Sequence, residues 1–157
     1  MVKYNRIARL LKLPILSVAV LSGFMFYLGS MVDVFQFDFE GQTVLSALLF
    51  TAGLVLIAMA GKLFRKVNTT VNPLTPEKTS QLVTSGLYRF SRNPMYVGFW
   101  LWLLAIFVLV GNGVNAIFMV LFVWIANWFY IAPEERALEM LFGANYLAYK
   151  QKVRRWV

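Results

Sequence analysis

The 157-residue sequence predicts an all-α integral membrane protein: a bundle of four transmembrane helices with a cytoplasmic loop and a C-terminal amphipathic helix. Three observations lead there. Hydrophobic residues make up 60% of the chain and charged ones only 14%, which leaves too little polar surface to clothe a soluble core. The apolar residues fall into charge-free runs of membrane-spanning length. The charges that remain are sorted by sign between alternate connections, as a spanning topology demands.

The first run lies between Lys12 and Asp33 and the second between Glu40 and Lys62, each about 30 Å long as a helix. The third extends from Asn93 to Pro133. As one helix it would reach about 60 Å, twice the hydrocarbon thickness, so it must double back. Gly111-Asn112-Gly113 near its middle supplies residues that tolerate left-handed backbone and close a tight turn. The spans are therefore expected near 13–32, 43–62, 94–110 and 115–132, in a single membrane domain over residues 1–157.

All fifteen Lys and Arg fall in residues 1–12, 62–92 and 133–157. The first of the two other connections instead carries Asp33, Asp38 and Glu40. The positive-inside rule then places both termini and the long middle loop in the cytoplasm, and a bacterial inner membrane is the natural setting for so compact a chain. The net charge of +8 is accordingly a topology signal with some attraction to anionic lipid, and no nucleic-acid partner is expected. A cleaved signal peptide is disfavoured, because no small-x-small site follows the first apolar run.

The polar stretch from Arg65 to Arg92 is long for a connection, and Leu82, Val83, Leu87, Tyr88 and Phe90 make it too apolar for a solvated linker, so it is expected to order against the membrane surface. In the last twenty-four residues Leu138, Phe142, Tyr146, Tyr149, Val153 and Trp156 recur at steps of three and four, which reads as an amphipathic helix in the headgroup region, with Gly143 as a point to bend.

The chain has neither cysteine nor histidine, which removes thiolate nucleophiles, imidazole bases and the usual zinc ligand sets; no metal is expected. Absence of ionisable residues inside the expected spans argues against ion-coupled transport. Polar groups gather instead at the basic rim. Arg89, Ser91, Arg92 and Asn93 precede the third span, Glu134 and Glu135 follow the fourth, and a tight hairpin brings these rims to one depth. Asn93-Pro94 suits a helix start whose backbone N–H groups could receive an anion, although the same step marks any well-formed helix start. Arg92 is equally accounted for as a topology charge. Two adjacent acids at the end of a span call for a cationic partner, and they also fit the first turn of a helix after Pro133. Trp100, Trp102, Trp124 and Trp128 read as lipid-facing or packing residues, whereas Tyr88 and Tyr96 flank the Arg92–Pro94 step within reach of a ligand.

The run Leu82-Val83-Thr84-Ser85-Gly86-Leu87-Tyr88, then Arg92-Asn93-Pro94-Met95-Tyr96-Val97-Gly98, then Glu134-Glu135 and Phe142-Gly143-x-x-Tyr146-x-x-Tyr149 resembles the isoprenylcysteine carboxyl methyltransferase family and its phospholipid methyltransferase relatives. The likeness covers roughly the second half of the chain. It implies an S-adenosylmethionine-dependent methyltransferase that takes its donor from the cytosol and a lipophilic or small acceptor, carboxylate, thiol or amine, from the bilayer. By the same resemblance residues about 80–157 form the cofactor-binding half. Ser80, Gln81, Leu82, Val83, Tyr88, Asn93, Pro94, Met95, Tyr96 and Glu134 would surround the cofactor, and Arg92 and Glu135 would position reactants or handle a proton. Better-known members have histidine at the position of Asn93. Members acting on prenylcysteine have arginine at the position of Tyr130, which implies a different acceptor here. A phospholipid amine N-methyltransferase is the alternative enzyme, and a small membrane transporter or assembly protein the alternative outside enzymes.

Overall fold

The structure, a computed structural model, describes residues 14–66 and 81–157, apart from the side chains of 64–66. The basic N-terminal stretch and most of the middle loop lie outside the described residues. Helix α1 runs Pro14–Met31 and α2 runs Gln42–Lys66. After a short 3-10 turn at Gly86–Arg89 come α3, Pro94–Val110, and a second 3-10 turn, Gly113–Asn115. Then α4, Ala116–Ile125, passes through a wide π turn, Ala126–Ile131, into α5, Ala132–Phe142, and α6, Ala144–Lys152, follows.

Three helical stretches are long and apolar enough to cross a membrane: Pro14–Met31, Gln42–Leu63 and the continuous Gly113–Phe142; Pro94–Val110 is apolar but shorter. The core explains the order. Val18, Leu21 and Met25 recur on one face of α1 and pack with Tyr96, Phe99 and Leu103 of α3 and with Met119, Phe122, Ala126, Tyr130 and Ile131 of the fourth stretch. The remaining faces of α1 and α2, rich in exposed Phe, Leu and Val, are apolar all round, as lipid contact requires.

Helices α2 and α3 meet through glycine. A Cβ on Gly98 would lie 2.6 Å from Ile57 Cγ1 and 2.8 Å from the Gly53 carbonyl, and one on Gly53 would lie 2.6 Å from the Gly98 carbonyl. Only residues without side chains allow two backbones so close. Beside the crossing, Trp102 stacks on Phe50 with ring centroids 5.0 Å apart and donates its indole N–H to the Phe50 carbonyl at 3.0 Å. Trp102 is thus a packing residue, while Trp124 and Trp128 are exposed.

The expected turn at Gly111-Asn112-Gly113 is present, with Gly111 at φ +66° where a Cβ would run into the Phe37 carbonyl oxygen. An antiparallel bridge, Gln36 with Asn112, stitches this turn to the α1–α2 connection. Buried Asn112 donates to the Val32 carbonyl at 2.6 Å, and buried Asn115 to the Met25 carbonyl at 3.1 Å.

Two expectations change. The fourth stretch does not end at residue 132, because Ala132 N–H bonds back five residues to the Asn127 carbonyl. Pro133 has no N–H and its ring crowds the carbonyl four residues back, so the wider turn just before it lets the helix continue through the proline. The C-terminal segment is also not one unbroken helix. It breaks at Gly143 (φ +47°), buries Tyr146 and Tyr149 against the protein, and leaves the helical form at Val153 (φ −123°, ψ 133°).

Candidate functional site

The N-terminus of α3, the start of α5 and the final residues of the chain converge at the end opposite the stitched turn. Arg92 makes the central contact. Its Nη2 donates to Glu135 Oε1 at 2.8 Å, and its Nη1 donates to the carbonyls of Lys150 (2.9 Å) and Val153 (3.1 Å) at the end of α6. A guanidinium suits that place, since its planar fork serves a carboxylate and free helix-end carbonyls together. Both partners are dry, the Arg92 side chain 9% and the Glu135 side chain 7% exposed.

Glu135 has a second cation. Arg155 Nη2 donates to Oε2 at 2.6 Å and its Nε to Oε1 at 3.2 Å. Glu134, one residue earlier, is held differently: it accepts a hydrogen bond at 3.0 Å from the Tyr96 hydroxyl and has no ion-pair partner among the described residues. The expectation that Arg92 faces the glutamate pair is met, but the ion pair is with Glu135 alone. Both acids follow Pro133 inside one continuous helix, so no free helix N-terminus favours their charge and their polar partners are Arg92, Arg155 and Tyr96.

Asn93 sits at the N-cap of α3 but its side chain does not cap the helix. The reason is competition: its amide donates to the Arg155 carbonyl at 2.9 Å. Pro94 opens the helix as expected, and the Asn93 carbonyl takes the N–H groups of Tyr96 and Val97. The Tyr96 ring stacks on Tyr130 at 6.1 Å, and Tyr130 in turn shares a hydrogen bond with Ser17 of α1.

Val83 and Tyr88 bury with Ala60 of α2, and Leu87 and Met95 pack around them; Leu82 is half-buried and Gln81 exposed. Ser80 lies outside the described residues. Tyr149 donates its hydroxyl to the Tyr88 carbonyl at 2.7 Å, tying α6 to this second cluster. Burial raises the phenols of Tyr88 and Tyr146 far above their ordinary value, and that of Tyr149 to about 12, with Arg92 pulling the last one down. All three are therefore neutral hydrogen-bonding groups at neutral pH, not bases. No cluster of potential metal ligands occurs among the described residues.

Three contributors lie beyond the site residues the sequence singled out: Arg155, Asn127 and Trp156, the last read there only as part of an amphipathic face. Trp156 Nε1 donates to Asn127 Oδ1 at 3.1 Å, and Arg155 Nη1 approaches the same oxygen at 3.5 Å. Asn127 did leave a signal, as the one amide in the apolar stretch 116–132.

An all-helical chain with several membrane-length helices, closed at one end by a buried ion cluster, defines an integral membrane protein with a polar site at its rim. The family model for phospholipid methyltransferase matches residues 41–145, and the chain belongs to that family. The match begins upstream of the half in which the motifs were read. Among curated proteins, the chain is similar to protein-S-isoprenylcysteine O-methyltransferase of Schizosaccharomyces pombe, 40% identical over 76 residues, or 48% of this chain and 32% of that protein. The form A enzyme of Arabidopsis thaliana is 33% identical over 109 residues, covering 64% and 55%, and the rat enzyme is 31% identical over 147 residues, covering 87% and 49%. The chain thus spans from about a third to just over half of these relatives' length. No solved structure matches it.

Proposed function

We propose that this chain is an S-adenosylmethionine-dependent methyltransferase of the cytoplasmic membrane face, acting on a lipophilic or small acceptor. The observation that carries the reading is the unequal treatment of two adjacent acids. Glu135 is neutralised by two arginines, whereas Glu134 accepts one phenolic hydrogen bond and has no cationic partner among the described residues, which leaves it open to a bound cation. S-adenosylmethionine supplies a methyl group activated on a sulfonium and also bears an ammonium and a carboxylate. Glu134 suits either cation, the N-terminus of α3 suits the carboxylate, and the apolar cluster around Val83, Tyr88 and Met95 suits a flat heterocycle. The family match and the relatives' names support the same chemistry.

In this reading α3 is a fourth span, short at about 26 Å, and the chain is one membrane domain with both termini and the middle loop in the cytoplasm of a bacterial inner membrane. The segments around Gln81–Val83, Tyr88 and Asn93–Tyr96, with Ser80 upstream, line the donor site in the half from about residue 80. Arg92 and Glu135 position reactants; with both oxygens of Glu135 held by arginines, positioning fits that carboxylate better than accepting a proton. Rate enhancement comes from holding donor and acceptor in line where water is scarce, so no covalent intermediate on the protein is required.

The test is transfer of labelled methyl from S-adenosylmethionine into a total lipid extract, with the product identified; phosphatidylethanolamine against lipophilic acids and thiols separates the acceptor classes. Absence of donor binding by the purified chain would favour a non-enzymatic role. Glu134→Gln is expected to weaken donor binding about tenfold, because one charge-assisted contact is lost. The Tyr96 hydroxyl can still donate to the amide oxygen, so helicity should persist. Unchanged affinity by calorimetry would remove Glu134 from the site.

A further inference from the structure

Five residues at the end of the described chain make an unusual set of ties. The Arg154 carbonyl accepts the Arg92 backbone N–H at 2.9 Å. The Arg155 carbonyl accepts the Asn93 amide at 2.9 Å and the Ser91 hydroxyl at 3.4 Å. The Arg155 guanidinium holds both oxygens of Glu135, and the Trp156 indole reaches Asn127 in the wide turn. One short extended segment therefore touches the start of α3, the start of α5 and the only π turn among the described residues.

We propose that Val153–Val157 is a clasp and that its Arg155 is a positioning residue for Glu134; this rests on the methyltransferase reading. The physical link is helical rotation. Consecutive residues of an α-helix point about 100° apart, so fixing Glu135 from both sides, by Arg92 from α3 and Arg155 from the clasp, fixes the azimuth of Glu134 as well. The Asn127 tie sets the same helix about two turns earlier, where the π turn would otherwise leave its phase loose. With both ties in place, the Glu134 carboxylate is held on Tyr96, beside the N-terminus of α3, instead of sampling other directions. Neither Arg155 nor Trp156 has to touch the donor for this effect.

The experiment uses the full chain in lipid nanodiscs. S-adenosylhomocysteine affinity is measured by calorimetry, kcat and donor KM by labelled methyl transfer, and helicity by circular dichroism. Arg155→Ala is expected to raise both the S-adenosylhomocysteine Kd and the donor KM about tenfold, with a smaller fall in kcat at saturating donor. Arg155→Lys, which restores the charge but not the fork, should recover part of the loss. Should Arg155→Ala lose its helicity, Trp156→Phe serves in its place; it removes only the indole N–H and should raise donor KM about threefold with helicity intact. A native Kd and KM in the folded Arg155→Ala chain would overturn the clasp, as would a loss confined to kcat or, where Trp156→Phe is the test, a native KM in that variant. An unmodified chain that fails to bind S-adenosylhomocysteine would overturn the methyltransferase reading and the clasp's role with it.

Discussion

Arg92→Ala is expected to lower the unfolding free energy by about 3 kcal/mol, because it strands a carboxylate in a dry site with one cation in place of two. The loss extends past the ion pair. The same guanidinium satisfies the carbonyls of Lys150 and Val153, so its removal also unties the end of α6 from α3. Arg92→Lys should recover little, since an ammonium cannot span two carbonyls and a carboxylate with the same fork. The informative control is Arg92→Met with Glu135→Leu. Removing both charges leaves neither desolvated alone, and the double variant should be less destabilised than Glu135→Leu and Arg92→Met added together. Reversible unfolding in detergent, followed by circular dichroism, measures all of these. A strictly additive double variant would mean that the pair carries no coupling. On the proposed methyltransferase reading, methyl transfer should also fall with every single substitution here.

Gly98→Val is expected to have an effect of similar size from a different cause. The new Cβ alone would stand 2.8 Å from the Gly53 carbonyl, a backbone atom that cannot swing aside, and 2.6 Å from Ile57 Cγ1. The helices must separate, at about 3 kcal/mol, the upper end of the usual overpacking range. Parting α2 from α3 also weakens the Trp102 hydrogen bond to Phe50 and pulls Ala60 away from Val83 and Tyr88. The substitution therefore reaches the proposed donor site from some distance. Thermal unfolding in detergent should show a lowered midpoint, and a second change at Gly53 should deepen it. Undiminished stability of Gly98→Val would show that the two helices can part at no cost.

The first two membrane-length helices were legible because the length of an apolar crossing is a one-dimensional constraint: uncharged runs of fixed length, closed by Lys12, Asp33, Glu40 and Lys62, mark it directly. The third run revealed its hairpin because forty-one residues exceed one crossing and Gly111-Asn112-Gly113 offers the turn. The meeting of Arg92 with the acidic pair followed from that hairpin and is present. What stayed hidden depended on contacts between residues far apart in the chain. A period of three and four suggested that Val153 and Trp156 continue a helix, whereas Arg92, Ser91 and Asn93 draw that segment out by taking its carbonyls. Asn93 looked like a cap, and the same carbonyls diverted its side chain. The wide turn left only an indirect trace, Pro133 in a stretch that otherwise reads as uninterrupted helix.

That turn has a consequence for how the helix is drawn. A π segment adds about one residue to the winding, and one residue of α-helix is about 100° of azimuth. A single helical wheel carried from Ala116 through Phe142 would therefore place Glu134 and Glu135 roughly a quarter-circle away from Tyr96 and Arg92. The six residues Ala126–Ile131 act as a phase shifter, aligning two stripes that the linear sequence keeps out of step.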